Sequence, residues 1–296
     1  MSTMTIFKRN SGVHNVEEII MTNGSLQVTV VPEANMVISS FKKDGKEILG
    51  QRFGLEGYIE KGKAFGIPFL SPWANRVTET TYNVENYTVT FNTEGMKTDE
   101  NGYANHGLMT AIKGWRISSF EIGDEIILEG YYKFDSQTPN FKSYPFKHDI
   151  TITYILTKNS LEVITKINNS GDKTLPIAFG WHPHFNTTVE QIKTNGVSYN
   201  IPLSSKCLPL EEFDSEDTDP TALMFKMNKS WSTEMITESG LLKMTTNNYP
   251  YMLQWNPPEY DFVAVEPMTA NIDPFKNSPT LLKENEEYIA TFKLIF

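Results

Sequence analysis

An alternation of apolar and polar residues with a period of two runs through much of the chain. Successive side chains of a strand point to opposite faces, so this alternation predicts strands with one buried face. Seven segments show it: 25–31, 125–134, 148–156, 160–167, 251–256, 262–268 and 288–296. Asp44-Gly45, between two apolar runs, and Lys158-Asn159, between two alternating segments, are typical of hairpin turns. The neighbouring strands are therefore expected to be antiparallel.

Helical periodicity is scarce and is limited to short pieces at 220–226 and 281–288. The chain lacks the alternation of strands and helices that builds a nucleotide-binding sheet, and it has no glycine-rich phosphate loop of either common type. No cofactor is therefore expected. Strands resume beyond the acidic stretch 211–220, so we interpret it as a surface loop. The predicted fold class is all-β, a large antiparallel β-sandwich with few short helices, in which residues 1–296 form a single domain.

The composition fits a protein that buries a large core, with 39% hydrophobic residues in a chain of 296. A net charge of -10 argues against nucleic acid and against an anionic membrane as partners, because both attract clustered Lys and Arg. The single cysteine, Cys207, excludes an intramolecular disulfide and does not require an oxidising compartment. The sequence shows no signal-peptide core of roughly 7 to 15 apolar residues and no run near the ~20 apolar residues of a membrane span. A cytoplasmic location is expected.

Four segments combine Pro or Gly with ionisable and aromatic residues: 66–77, 101–108, 179–186 and 263–275. Glycines and prolines end strands or shape turns, which is where a rigid sheet presents side chains to a ligand. Aromatic rings can form flat apolar platforms for the C–H faces of a sugar, whose hydroxyls then meet Arg, His, Asn and Glu. The rings in these segments are Phe69, Trp73, Tyr103, Trp181 and Phe185. We interpret the combination as a carbohydrate pocket.

These four segments, in this order, resemble the signature stretches of the aldose 1-epimerases, also called galactose mutarotases. The resemblance extends from about residue 20 to the C-terminus, and the part from SYPFKHDITITYIL to GWHPHFN is similar to the central strands and histidine segment of the family. It implies the galactose mutarotase-like supersandwich with an open sugar-binding cleft. It also implies a metal-free reaction that interconverts the α and β anomers of a free aldose such as galactose or glucose.

The resemblance also implies roles for individual residues. Glu266 in VAVEPM matches the general base of the family, and His182 in GWHPHF matches its general acid. Arg76 in WANRV and His106 in NHG match residues that hold the sugar and its ring oxygen. These four side chains are therefore expected to meet in one cleft.

Further sugar contacts are expected beside these residues. The neighbours of Arg76 and His182 in their segments add two candidates, Asn75 and Trp181. One more acidic contact of the family cannot be placed, because no local motif selects among Asp214, Asp217 and Asp219.

The chemistry explains why these residue types are needed. A cyclic hemiacetal opens when the anomeric hydroxyl loses a proton as the ring oxygen gains one, so a base and an acid are expected on opposite sides of the C1–O5 bond. A glutamate near its unperturbed pKa of ~4.3 is ionised, and a histidine near ~6.5 can carry a proton at neutral pH. Burial of Glu266 would raise its pKa and a nearby Arg76 would lower it; the sequence leaves open which effect is larger.

The histidines and the cysteine also have simpler interpretations. His182 and His184 are two apart and could share a face as metal ligands, but no further ligand can be named. No metal is therefore expected, and His184 is interpreted as a structural residue. Cys207 is interpreted as a packed thiol, since no histidine or helix N-terminus lies near it in the sequence.

The two charged candidates have simpler interpretations as well. Glu266 could be an ordinary carboxylate at a strand end, and Arg76 could be a turn residue paired with Glu79. The apolar setting of Glu266 argues against the first interpretation, because a buried unpaired carboxylate is costly.

Two alternative functions remain open. A hexose-6-phosphate 1-epimerase of the same fold would use the same acid and base, with Arg or Lys for the phosphate. Of four arginines only Arg76 lies in a signature segment, which favours an unphosphorylated hexose, although 254–261 is mildly similar to a stretch of that branch. The other alternative is a non-catalytic carbohydrate-binding protein, against which the complete pair of His182 and Glu266 argues. The sequence does not decide between a monomer and a homodimer.

Overall fold

Antiparallel strands dominate the fold. The structure is a computed structural model that describes residues 4–91, 96–212, 216–277 and 279–296. Its strands, in chain order, are β1 (Thr5–Asn10), β2 (Glu17–Thr22), β3 (Leu26–Val31), β4 (Val37–Lys43), β5 (Lys46–Glu47), β6 (Phe69–Leu70), β7 (Arg76–Val77), β8 (Thr81–Val84), β9 (Tyr87–Thr90), β10 (Ala104–Asn105), β11 (Arg116–Ile122), β12 (Glu125–Phe134), β13 (His148–Leu156), β14 (Ser160–Asn168), β15 (Leu175–Ile177), β16 (Gly180–Trp181), β17 (His184–Phe185), β18 (Ile192–Ile201), β19 (Ala222–Thr237), β20 (Gly240–Asn247), β21 (Tyr251–Trp255), β22 (Val263–Met268), β23 (Thr280–Leu282) and β24 (Glu287–Ile295).

A large sheet of 13 strands forms the body of the molecule. Its order is β11-β12-β13-β14-β24-β20-β19-β21-β22-β16-β6, with β17 paired to β22 and β18 paired to β19. A second sheet of 5 strands has the order β1-β2-β3-β4-β5, and three two-stranded ladders complete the set: β7 with β10, β8 with β9 and β15 with β23. The all-β prediction is confirmed.

The core fills the space between the sheets. Val28 and Phe41 from the five-stranded sheet belong to the same buried cluster as Ile150, Val163 and Phe292 from the large sheet. Inward-facing residues of both sheets thus share one apolar interior, as in other packed sheets.

All seven segments predicted as strands are strands. In β13 every second residue from His148 to Leu156 is buried, and the residues between them are half-buried, which is the alternation read from the sequence. The predicted turns are also present: Asp44 and Gly45, both with positive φ, join β4 to β5, and β13 is followed at Lys158-Asn159 by its antiparallel partner β14.

Both helical predictions are wrong. Residues 220–226 run into β19, where Ala222 and Met224 are buried while Leu223 between them is 49% exposed, a period of two. Residues 281–288 form the end of β23, a turn and the start of β24. In both segments the pairing with neighbouring strands overrides a weak local helical pattern.

The α-helix of the described residues lies elsewhere, at α1 (Gly54–Lys61). It buries Leu55 and Tyr58 and ends at Gly62, which adopts the left-handed conformation of a helix C-cap. Three short 3-10 turns accompany it: Pro32–Ala34, Phe141–Ser143 and Val189–Gln191. No helix in the described ranges is long and apolar enough to span a bilayer.

The described residues of the acidic stretch 211–220 lie outside the named strands, as predicted. They form bends, turns and an isolated bridge of Thr218 to Ser204, and 213–215 lie outside the described residues. Asp217 is held by Ser205, whose hydroxyl donates to its carboxylate at 2.6 Å.

Candidate active site

An open cleft of about 660 Å³ collects most of the predicted site residues. Five of the six side chains named from the sequence line it: Asn75, Arg76, His106, His182 and Glu266. They come from all four of the segments that combine aromatic and ionisable residues.

The pleat of two paired strands sets one wall of the cleft. Glu266 on β22 lies directly opposite Leu253 on β21. Because side chains two apart in a strand share a face, Leu253 and Trp255 point to the same side of β21, and both line the cleft with Glu266. Met268 shares the face of Glu266 in the same way. The carboxylate is therefore fixed by a strand that is buried along its whole length.

His182 and Glu266 are in direct contact. His182 Nε2 lies 3.4 Å from Glu266 Oε1, and the two side chains are only 5% and 1% exposed. The amide of Asn75 donates to the other carboxylate oxygen, Oε2, at 3.4 Å. The imidazole nitrogen and the carboxylate oxygen thus lie side by side in the cleft, in contact with each other, and not on opposite sides of a space between them as expected.

A group of three histidine rings surrounds this contact. His184 stacks on His182 with ring centroids 4.3 Å apart, and His106 meets the His182 ring edge-on at 5.3 Å. His184 Nδ1 lies 3.0 Å from the carbonyl oxygen of Gly66, to which it donates, because a carbonyl only accepts. Among the described residues no group of three or more His, Cys, Asp or Glu side chains is arranged to hold a metal ion. The parallel rings of His182 and His184 lie face to face and do not converge on a point.

Burial controls the protonation of the pair. It raises the pKa of Glu266 to about 8, and the opposing effects of Arg76, the Asn75 amide and Lys97 are smaller. Burial also lowers the pKa of His182 well below its usual 6.5, assisted by the neighbouring histidines. Near neutral pH the two groups therefore share one proton between them.

The NHG turn brings His106 beside the pair. His106 and Gly107 both have positive φ, and the His106 amide donates to the carbonyl oxygen of Asn75 at 3.0 Å. A Cβ on Gly107 would collide with the carbonyl oxygen of Ser71, so only glycine fits this close approach. Burial lowers the pKa of His106 well below its usual value, which keeps the ring neutral.

Arg76 is held by an acid that the sequence reasoning missed. Its Nε lies 2.7 Å from Asp99 Oδ2, and the side chains are 13% and 1% exposed. Burial alone would raise the pKa of Asp99, but hydrogen bonds from Arg76 and from the amides of Tyr103 and Asn101 hold it below its usual value. The simpler interpretation of Arg76 as a turn residue paired with Glu79 is wrong.

Comparison with known proteins decides the family. The sequence model of the family described as Aldose 1-epimerase matches residues 19–294. The chain belongs to the aldose 1-epimerase family. The family resemblance inferred from the four segments is thus confirmed.

Solved structures agree with this aldose 1-epimerase family fold. A galactose mutarotase-like protein from Clostridium acetobutylicum superimposes with a TM-score of 0.80 at 17% identity, covering 98% of both chains. A galactose 1-epimerase from Lactobacillus acidophilus has a TM-score of 0.70 at 14% identity, covering 99% of this chain and 97% of that one. A galactose mutarotase-like protein from Lactobacillus casei has a TM-score of 0.66 at 16% identity, covering 94% and 99%. At these identities the likeness shows the galactose mutarotase-like fold.

Trp181 was expected to contact the sugar, but in this aldose 1-epimerase family member it lies in the core. Its side chain is fully buried and its indole Nε1 donates to Thr165 Oγ1 at 3.0 Å. The ring packs on Phe69 and Phe292 in the core. Adjacent side chains of an extended segment point to opposite faces. Trp181 therefore points into the core, and His182, the next residue, faces the cleft.

The rings predicted to form a flat platform for a sugar do not line the cleft. Four of its five rings are fully buried in the core: Phe69, Trp73, Trp181 and Phe185. The fifth, Tyr103, lines a neighbouring groove together with Tyr199. The ring that lines the cleft is Trp255, whose centroid lies 6.0 Å from that of His182. It was missed because only the pairing of β21 with β22 places it on the same face as Glu266.

Of the three aspartates that could fill the additional acidic position of the family, Asp219 lines the cleft. Asp217 contacts Ser205, and Asp214 lies outside the described residues.

Cys207 also lines the cleft as a packed thiol, and burial raises its pKa to about 12. A thiol with so high a pKa is neutral and a poor nucleophile at neutral pH.

Three cations in the cleft have no signal in the local sequence. Arg52 follows β5 and precedes α1, Lys63 follows the end of α1, and Lys97 lies before the NHG turn, all outside the four segments. Their presence in the site depends on how distant parts of the chain pack, so no local motif could identify them.

Proposed function

We propose that this protein is an aldose 1-epimerase that interconverts the α and β anomers of a hexose by opening and reclosing the sugar ring. The observation that carries the proposal is the buried contact of His182 with Glu266, which together hold one proton at neutral pH. Ring opening needs one group that accepts a proton and one that donates it at the same carbon. A pair with one shared proton meets that need.

The proposed step moves two protons and one electron pair. Glu266 accepts the proton of the anomeric hydroxyl, the C1–O1 bond becomes a carbonyl, and the C1–O5 bonding pair goes to the ring oxygen, which takes a proton from His182 Nε2. O1 and O5 are bonded to the same carbon, so groups 3.4 Å apart can each reach one of them. Rotation about C1–C2 presents the other carbonyl face, and reclosure returns both protons with the roles exchanged.

The neighbours of the pair support these roles. The form with ionised Glu266 and protonated His182 differs from the neutral form only by transfer of the shared proton across their contact. Asn75 donates to the carboxylate and stabilises its ionised form. In this proposal Arg76 and His106 hold the sugar hydroxyls and ring oxygen, and Asp99 fixes the Arg76 guanidinium.

The test is the pH dependence of catalysed anomer exchange, measured by polarimetry after dissolving a pure α-anomer. We expect catalysis above the spontaneous rate, with kcat/KM high near neutral pH and falling as pH rises through about 8. The pKa of Glu266 is raised to about 8, and above it the pair loses its one titratable proton, so no acidic donor for the ring oxygen remains. A kcat/KM that instead rises through pH 8 would contradict the one-proton mechanism, and the absence of catalysis would contradict the function.

A non-catalytic carbohydrate-binding protein would need the cleft but not the pair. The burial of Glu266 against His182 favours turnover, because a buried carboxylate with a raised pKa destabilises the fold, and such costly groups are concentrated at catalytic sites. Sugar binding without catalysed exchange in the polarimetric assay is the result that would favour the binding protein.

A further inference from the structure

Three cations line one side of the cleft. Arg52, Lys63 and Lys97 all contribute to the lining, although the chain as a whole carries a net charge of -10. Lys97 packs against the end of α1, because a Cβ on Gly62 would come within 3.3 Å of its Cδ. Lys63 is the next residue after Gly62. The C-terminal end of α1 thus meets the segment before the NHG turn, and positive charge accumulates there.

These cations lack acidic partners in the part of the chain that the structure describes. None of the three makes an ion pair with a described carboxylate. Five acids also line the cleft. Asp99 and Glu100 lie beside Arg76, and Glu266 contacts His182. The other two, Asp219 and Glu259, line the cleft without an ion pair to any of the three cations among the described residues. The three cations therefore have no carboxylate in ion-pair contact among the described residues, although acids line the same cleft.

Arg52 is held in place, and some of its N–H donors have no partner among the described residues. Its guanidinium carbon lies 5.3 Å from the ring centroid of Trp255 and 4.8 Å from that of Tyr260. Nη1 donates to the carbonyl oxygen of Ala64 at 3.3 Å, while the buried Nε has no partner among the described residues. A guanidinium has five N–H donors in a rigid fork, so most of its hydrogen-bonding capacity is available to a ligand.

Repulsion among the three cations favours an anionic ligand. Burial lowers the pKa of Lys97 to about 8, and the next largest causes are repulsion from Arg52 and Lys63. Lys97 is still mostly charged at neutral pH. A sugar hydroxyl would leave this repulsion in place, whereas a phosphate or carboxylate would offset it and would gain charge-assisted hydrogen bonds.

We propose that the cleft binds an aldose that carries an anionic group, a phosphate or a carboxylate, and that Arg52, Lys63 and Lys97 form the subsite for that group. The proposal rests on the proposed epimerase function and narrows its substrate class. It replaces the expectation of an unphosphorylated hexose, which rested on counting arginines in the signature segments.

The test compares catalysed anomer exchange of glucose, glucose 6-phosphate and glucuronate, with the spontaneous rate of each subtracted. We expect kcat/KM for at least one anionic sugar to exceed that for glucose by ~10-fold or more, since hydrogen bonds to charged groups contribute about 1.5–3 kcal/mol and 1.4 kcal/mol is tenfold. The better of the two anionic sugars identifies the group as phosphate or carboxylate. Equal kcat/KM for all three sugars would overturn the subsite and leave the epimerase in place.

Variants show whether these cations cause the preference. Lys97→Met and, separately, the exposed Lys63→Met are expected to lower the ratio of kcat/KM for the preferred anionic sugar to that for glucose, by ~10-fold and a few-fold respectively. Lys61→Met is the matched control: it removes the same charge from the exposed end of α1, outside the cleft lining, and the ratio should not change. An unchanged ratio in both Lys97→Met and Lys63→Met would overturn the proposal. Catalysis of none of the three sugars would contradict the epimerase function itself.

Discussion

Replacing Glu266 with Gln is expected to slow anomer exchange by at least ~100-fold, the lower end of what general base catalysis contributes. The glutamine would keep the shape of the side chain and a hydrogen-bonding oxygen, but it cannot accept the proton of the anomeric hydroxyl. The position on β22 is fixed by burial and by the pairing with β21, so the strand should tolerate the change. Exchange is followed by polarimetry, and sugar binding by isothermal titration calorimetry.

Binding should persist in the Glu266→Gln variant, because the proposed sugar contacts of Arg76 and His106 do not involve the carboxylate. The control is Glu121→Gln on the exposed strand β11, outside the cleft lining, which should exchange anomers at the unchanged rate. Exchange that survives in Glu266→Gln at more than about a tenth of the original rate would refute the assigned base.

Replacing Trp181 with Ala is expected to lower the free energy of unfolding by about 3–5 kcal/mol, the usual cost of truncating a large buried ring. The ring is fully buried between core aromatic residues, and its indole donates to Thr165. Trp255→Ala should cost less stability, because Trp255 is half-buried at the cleft, and should instead raise KM. Urea denaturation gives the free energies, and steady-state exchange rates give KM.

The two tryptophans serve as controls for each other, since both substitutions remove the same ring. If Trp181→Ala raised KM and left the unfolding free energy unchanged, Trp181 would be a sugar contact and its placement in the core would be incorrect.

The strands and the family could be predicted because their signals are local. Alternation in segments such as 148–156 reflects one buried face, and Asp44-Gly45 supplies the positive φ angles that a tight hairpin needs. The four signature segments likewise led to Asn75, Arg76, His106, His182 and Glu266, all of which line the cleft.

The rest depends on tertiary contacts that no short segment encodes. Trp181 was placed in the cleft because it neighbours His182, but adjacent strand residues point to opposite faces. Arg52 and Lys97 reach the cleft only through the packing of α1 against the segment before the NHG turn. The balance between burial and Arg76 at Glu266 was open in the sequence for the same reason, and burial proves to be the larger effect.

The central claim is that His182 and Glu266 act together on the anomeric carbon of a sugar. The most direct measurement is a crystal structure of the Glu266→Gln variant soaked with glucose and, separately, with glucose 6-phosphate. The account predicts that the anomeric hydroxyl lies within hydrogen-bonding distance of the substituted side chain and the ring oxygen within that distance of His182 Nε2, at about 2.6–3.2 Å. A sugar bound with C1 turned away from both side chains would contradict it.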